Sequence, residues 1–204
     1  MIANTFPGKF VVIEGIDGAG KSTQAAIVSN HFYKKGNAVC LTSEPTQFLV
    51  GGLIRGRLAG EWQSSPECLQ LLFAADRAEH LEKEILPRLK EGINVVCDRY
   101  FLSSLAYGAI DCGFDWLVHV NSLFLMPDLT IFLDVDAKTG ADRIAANGQS
   151  IELFEKVDIL EKVRKNYATA IGLFKDEMAV QMINGNRRKE EVSNDVETAI
   201  GKIL

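Results

Sequence analysis

Phe10-Val11-Val12-Ile13-Glu14 runs directly into Gly15-Ile16-Asp17-Gly18-Ala19-Gly20-Lys21-Ser22-Thr23, and the reading of this junction decides the fold. The first five residues form a short β-rich, mostly apolar run, the pattern of a buried strand. The next eight satisfy G-x-x-x-x-G-K-[ST], and Ser22 to Lys35 reads as a helix, so the motif lies in the strand–loop–helix context that a phosphate-binding P-loop requires. The residue types have a physical reason. Glycines let the backbone turn several N–H groups inward without intervening side chains, and the N-terminus of the following helix adds positive potential. Lys21 is then placed to reach the β and γ phosphates of a nucleoside triphosphate, and the Ser22 hydroxyl to ligate Mg²⁺. The alternative is a structural glycine-rich turn.

Outward from this junction, apolar runs alternate with helical stretches. Ala38–Thr42, Ile93–Cys97, Leu129–Val135 and Val180–Ile183 read as further strands, and Glu67–Lys90, Ala137–Ala146 and Glu155–Phe174 as further helices. This alternation predicts an α/β fold: the three-layer α/β/α arrangement of P-loop NTPases, with a five-stranded parallel sheet and ligands at the carboxyl ends of the strands. Gly36, Gly92 and Pro127 mark joints, and no repeat or linker interrupts the pattern, so residues 1–204 are expected to form a single domain. Asn147-Gly148-Gln149-Ser150 is a loop-like break, read as part of a short lid over about 143–154 or, alternatively, as a plain surface turn.

Composition narrows the partners. The 22 lysines and arginines face 27 aspartates and glutamates, a net charge of −5, which disfavours a broad nucleic-acid footprint. No apolar run reaches the length of a membrane span, and Met1 to Lys9 lacks the pattern of a secretory signal. Cys40, Cys68, Cys97 and Cys112 are widely spaced, as expected of reduced thiols in a cytoplasmic protein. An N-K-x-D element that would read guanine does not occur in the sequence.

Cys97-Asp98-Arg99-Tyr100 closes the third expected strand. A carboxylate there faces the metal beside a P-loop, and an adjacent arginine fork suits a second phosphate; the alternative is an ordinary ion pair at a strand end.

Together with Glu14–Thr23 and Leu72-Phe73-Ala74-Ala75-Asp76-Arg77, the segment Asp98–Tyr107 gives the chain a resemblance to the thymidylate kinases, over essentially its whole length. That resemblance implies transfer of a phosphoryl group from ATP to dTMP with Mg²⁺, in a homodimer. It implies that Gly15, Ile16, Asp17, Gly18, Ala19, Gly20, Lys21, Ser22, Thr23 and Asn186 bind ATP. Asp17, Pro45, Phe73, Arg77, Arg99, Ser103, Ser104 and Tyr107 are implied to bind dTMP. Within that set Phe73 stacks on the base, Arg77 donates to a base carbonyl, Ser103 and Ser104 meet the base edge, and Tyr107 crowds the sugar. Ser22, Asp98 and Glu155 would surround the metal, and Lys21, Arg99 and Arg143 would act on the transferring group. Taken alone, Phe73 reads as a core residue rather than a stacking ring, and Arg143 equally as a solvated helix charge. The chain departs from the family pattern at two places. Gly18 stands where some members carry a P-loop arginine, and the lid offers only Arg143, with Lys156 and Arg164 as weaker substitutes. Ser43 stands where an arginine often precedes the Glu-Pro pair, for which Arg55 or Arg57 is a candidate replacement. A kinase for another nucleoside monophosphate, and a nucleotide-binding regulator without turnover, are the competing readings.

Overall fold

A computed structural model describes residues 1–146, 153–201 and 203, with side chains for all of these except 153–156. Five strands, β1 (Phe10–Glu14), β2 (Val39–Ser43), β3 (Asn94–Asp98), β4 (Leu129–Asp134) and β5 (Val180–Asn184), form one parallel sheet in the order β2-β3-β1-β4-β5. The expected strands are all present, with ends displaced by at most one residue. Strand β1 lies between β3 and β4, and all five of its residues are buried because helices cover both faces. The edge strands β2 and β5 are only partly buried.

Register decides where the site forms. Ile13 pairs with Asp98, Ser43 pairs with Asp98 from the other side, Glu14 pairs with Phe132, and Asp134 pairs with Asn184. The P-loop, Asp98 and the β5 terminus therefore emerge along one edge, the carboxyl edge, where parallel strands aim their following loops.

The helices are α1 (Lys21–Lys34), α2 (Leu49–Leu58), α3 (Pro66–His80), α4 (Leu86–Lys90), α5 (Phe101–Gly108), α6 (Phe114–Asn121), α7 (Ala137–Ala146), α8 (Leu153–Leu173) and α9 (Lys189–Ile200). The single helix expected over Glu67–Lys90 is instead α3 and α4 joined by a π-helical turn, Leu81–Ile85. The widened turn lies where a Pro87 ring would otherwise meet the carbonyl of residue 83. Helices α2, α5, α6 and α9 were not anticipated, and α2 shows why: its glycines Gly51, Gly52 and Gly56 lower helix propensity. Packing overrides that cost, since a Cβ at Gly51 would fall 2.0 Å from the Thr46 carbonyl oxygen. The core joins Val11, Val12, Val96, Ile131 and Leu133 of the sheet to Val28 and Phe32 of α1 and to Val163 and Tyr167 of α8. Among the described residues, no helix is long and apolar enough to cross a membrane.

Candidate active site

The loop from Gly15 to Gly20 turns through three left-handed or otherwise glycine-favoured positions, Gly15 (φ 151°), Gly18 (φ 77°) and Gly20 (φ 90°). Its back packs on α7. A Cβ at Gly18 would lie 2.2 Å from the Gly140 carbonyl oxygen, and a Cβ at Gly140 would lie 2.7 Å from that of Asp17. This backbone-to-backbone seam accounts for the missing P-loop arginine, because no side chain fits at position 18 while α7 sits there.

Lys21 is buried in the cradle and donates to the Ile16 carbonyl at 2.8 Å. Burial, with the nearby Arg99 charge, pulls its amine down to about 8 from 10.5. Ser22 Oγ donates to Asp98 Oδ2 at 2.5 Å, while the buried Asp98 Oδ1 has no hydrogen-bond partner among the described residues. An orphaned carboxylate oxygen beside a P-loop hydroxyl is a donor set that fits Mg²⁺, which commonly takes one or two carboxylates and fills its shell with phosphate and water. Accordingly, among the described residues no three His, Cys, Asp or Glu side chains cluster as an all-protein metal cage. Glu155, the other expected contributor, and Lys156 lie outside the described side chains.

Arg99 is the only non-glycine with positive φ (72°) among the described residues. The turn is clamped from both sides: Arg99 N–H donates to Ile13 O at 3.0 Å, and Tyr100 N–H to Glu14 Oε1 at 2.9 Å. Its guanidinium pairs with Asp17, donates to Ser103 Oγ at 3.2 Å, and lies 5.2 Å from the Tyr107 ring centre. The Tyr107 hydroxyl accepts from Asp17 N–H at 3.0 Å. Burial raises the Asp17 carboxyl, but Arg99 and Lys21 outweigh it and hold the group below its ordinary value.

All eight residues assigned to the acceptor line one cavity of about 380 Å³. Phe73 is half-buried on its wall and stands outside the core cluster, so the plain core reading of this ring does not hold. Arg77 is fully buried: Nε and Nη2 donate to Glu44 Oε2 at 3.0 and 2.7 Å, Nη2 also to Ser104 Oγ at 3.0 Å, and Nη1 to Asn121 Oδ1. Of its five N–H groups, four are so used and one on Nη1 has no partner among the described residues. Ser103 also turns partly inward, donating to Glu14 Oε2 at 2.6 Å with the Tyr167 hydroxyl 2.8 Å away.

The donor side is partly assembled. Arg143 donates to Gly185 O at 3.0 Å and to Gly18 O at 3.4 Å, tying the P-loop to the β5–α9 loop, so it is not a free solvated charge. Asn186 caps Asp136 N–H at 3.1 Å in the same loop. Arg164 forms a two-pronged pair with Asp134 at the carboxyl end of β4, at 2.8 and 3.1 Å. Of the candidate replacements near Ser43, Arg57 lines the acceptor cavity, whereas Arg55 binds the carbonyls of Pro45 and Thr46.

Residues the sequence reading overlooked complete the scaffold. Glu14 is fully buried and accepts from the backbone N–H groups of Tyr100 and Ser103 and from the Ser103 and Tyr167 hydroxyls. It thereby caps α5, whose own N-cap residue supplies no side-chain bond. Desolvation pushes its carboxyl up against the pull of Ser103 and Arg99. A charge inside an apolar strand was the available signal. His80 is likewise buried, 3.2 Å from Glu44 Oε1, and supports the carboxylate that holds Arg77. Gln70 lines the cavity one turn before Phe73.

Comparison with known proteins identifies the family. The family model described as thymidylate kinase matches residues 13–196. A probable thymidylate kinase of Pyrococcus horikoshii is 43% identical over 195 residues, covering 93% of this chain and 94% of the relative. Relatives of the same description from Thermococcus onnurineus (44% identical, 92% and 94% covered) and Methanococcus aeolicus (40%, 92% and 93%) match along the same length. With the cradle, the Asp98–Arg99 turn and the acceptor cavity in one crevice, and with matches of this extent, the chain belongs to the thymidylate kinase family.

Proposed function

We propose that the protein transfers the γ-phosphoryl group of ATP to dTMP, giving dTDP and ADP. The observation that carries this reading is the continuity of one crevice: the cavity walled by Phe73, Arg77, Ser104 and Tyr107 ends at Arg99 and Asp17, beside the Lys21 cradle. A flat base against Phe73 leaves the sugar at Tyr107 and Asp17 and the monophosphate at Arg99. The second pKa of that phosphate is about 6, so its oxygen is largely ionised at neutral pH and needs no strong base. The barrier is electrostatic alignment of two polyanions. Lys21 neutralises the donor phosphates, Arg99 holds the acceptor, and Arg143, which reaches the Gly18 carbonyl of the P-loop, acts on the transferring group. Ser22 and Asp98 would hold Mg²⁺, with Glu155 as the further contributor that the family resemblance implies, and the ion would supply charge neutralisation across the donor phosphates.

The same reading includes ATP contacts from Gly15–Thr23 and Asn186, a cytoplasmic setting and a homodimer. Leu49, Leu53 and Leu58 of α2 and Leu71 of α3, all exposed, support helix-to-helix association. A coupled ADP-release assay over dTMP, dUMP, UMP, CMP and GMP tests the acceptor. Clear preference for dTMP is expected; preference for any other acceptor overturns the reading, and tight binding of both nucleotides without ADP release favours a regulator.

A further inference from the structure

Gln70 is 8% exposed and lines the acceptor cavity, yet its carboxamide hydrogen-bonds to none of the described residues. Its Oε1 is buried without a partner. Folded proteins rarely leave a buried amide unsatisfied, and such a group raises the energy of the empty protein until something supplies the missing bonds. Arg77, Ser104 and Ser103 of the same wall are each bonded to protein, whereas the Tyr100 hydroxyl, also buried on it, shares the lack of a partner among the described residues.

Placement supports a ligand as the missing partner. Gln70, Phe73 and Arg77 follow the i, i+3, i+7 spacing of one helix face, so the amide, the ring and the guanidinium present a single stripe to the cavity. Behind the amide stands Gly108 of α5, where a Cβ would fall 2.8 Å from Gln70 Cδ and 2.9 Å from Oε1. The absence of a side chain there leaves the amide room to lie back against α5. A planar group stacked on Phe73 turns its edge toward this wall. An amide complements a ring carbonyl through Nε2 and an adjacent ring N–H through Oε1.

We propose that Gln70 is a base-contacting, specificity-determining residue whose carboxamide hydrogen-bonds a ring carbonyl of the pyrimidine held on Phe73. This deepens the dTMP reading and rests on it. Gly108 acts as the positioning residue behind it.

Titration calorimetry of dTMP, 2-thio-dTMP and 4-thio-dTMP into the intact protein and into Gln70→Leu tests the assignment without requiring turnover. A carbonyl oxygen replaced by sulfur accepts a weaker hydrogen bond. The expected results are a rise of threefold or more in the dTMP Kd of Gln70→Leu, and a sulfur penalty for at least one analogue that shrinks in the variant. An empty-state melting temperature equal to or above that of the parent should accompany them, because a buried unpartnered amide has been removed. If Gln70→Leu folds poorly, Gly108→Ala keeps the amide but crowds it, and the same threefold rise is expected. A dTMP Kd within threefold of the parent, or sulfur penalties unchanged for both analogues, overturns the proposal. Failure of the parent protein itself to bind dTMP would instead overturn the acceptor reading.

Discussion

Lys21 shows how one buried amine links the cradle to pH. Its folded value of about 8 lies below 10.5, so between those values the folded protein holds fewer protons than the unfolded chain. The cost of burying the charged amine is fully present below about pH 8 and is relieved as pH rises through that window. A polyphosphate reverses the preference, because it stabilises the ammonium form. ATP binding is therefore expected to take up a proton above about pH 8, with affinity falling by up to about tenfold per pH unit there. Calorimetry near that pH in two buffers of different ionisation enthalpy would register the uptake, and identical heats in both would refute it. Glu14 makes a second prediction. Glu14→Gln keeps an acceptor for the Tyr100 and Ser103 N–H groups but makes the Ser103 and Tyr167 hydroxyls reverse their direction, and should cost about 1–3 kcal/mol in a urea titration, whereas Tyr167→Phe removes one hydroxyl and should cost about 0.5–1.5 kcal/mol. The motif residues were legible in the sequence because their chemistry is local to a few adjacent positions. Glu14, His80 and Gln70 were not, because their meaning depends on what tertiary packing removes from water.

At the level of elements, α7 and α5 govern the crevice. Helix α7 carries Arg143 to two carbonyls, one on the P-loop and one after β5. Arg143→Ala is expected to lower kcat by about tenfold or more while leaving dTMP affinity within twofold, a split read from steady-state kinetics and direct binding. Unchanged kcat would transfer the role to another cation. Helix α5 begins at the left-handed Arg99, whose turn is held by Ile13 and Glu14 of β1. Strands read well from sequence because buried parallel strands are short apolar runs, and β1, β3 and β4 are buried as that pattern implies. Helix α5 was missed because Phe101–Gly108 is a short, mostly apolar run, which length and composition do not distinguish from a strand, and α2 because of its glycines.

For the molecule as a whole, a net charge of −5 surrounds a crevice where Lys21, Arg77 and Arg99 converge. The exposed leucines of α2 and α3 give a bulk prediction: light scattering on a sizing column should return twice the mass of one chain, and Leu53→Glu should shift it toward one. A mass of one chain for the parent would refute the dimer. The closeness of Gly18 to the Gly140 carbonyl also bears on how such enzymes diverge. Relocating the transferring-group cation from lid to loop is not a one-step path here: an arginine at position 18 collides with the backbone of α7 whatever stands at 140. A loop arginine at this position would therefore require α7 to shift as a whole, so the spacing between loop and helix, rather than the loop sequence alone, sets which residue types position 18 accepts.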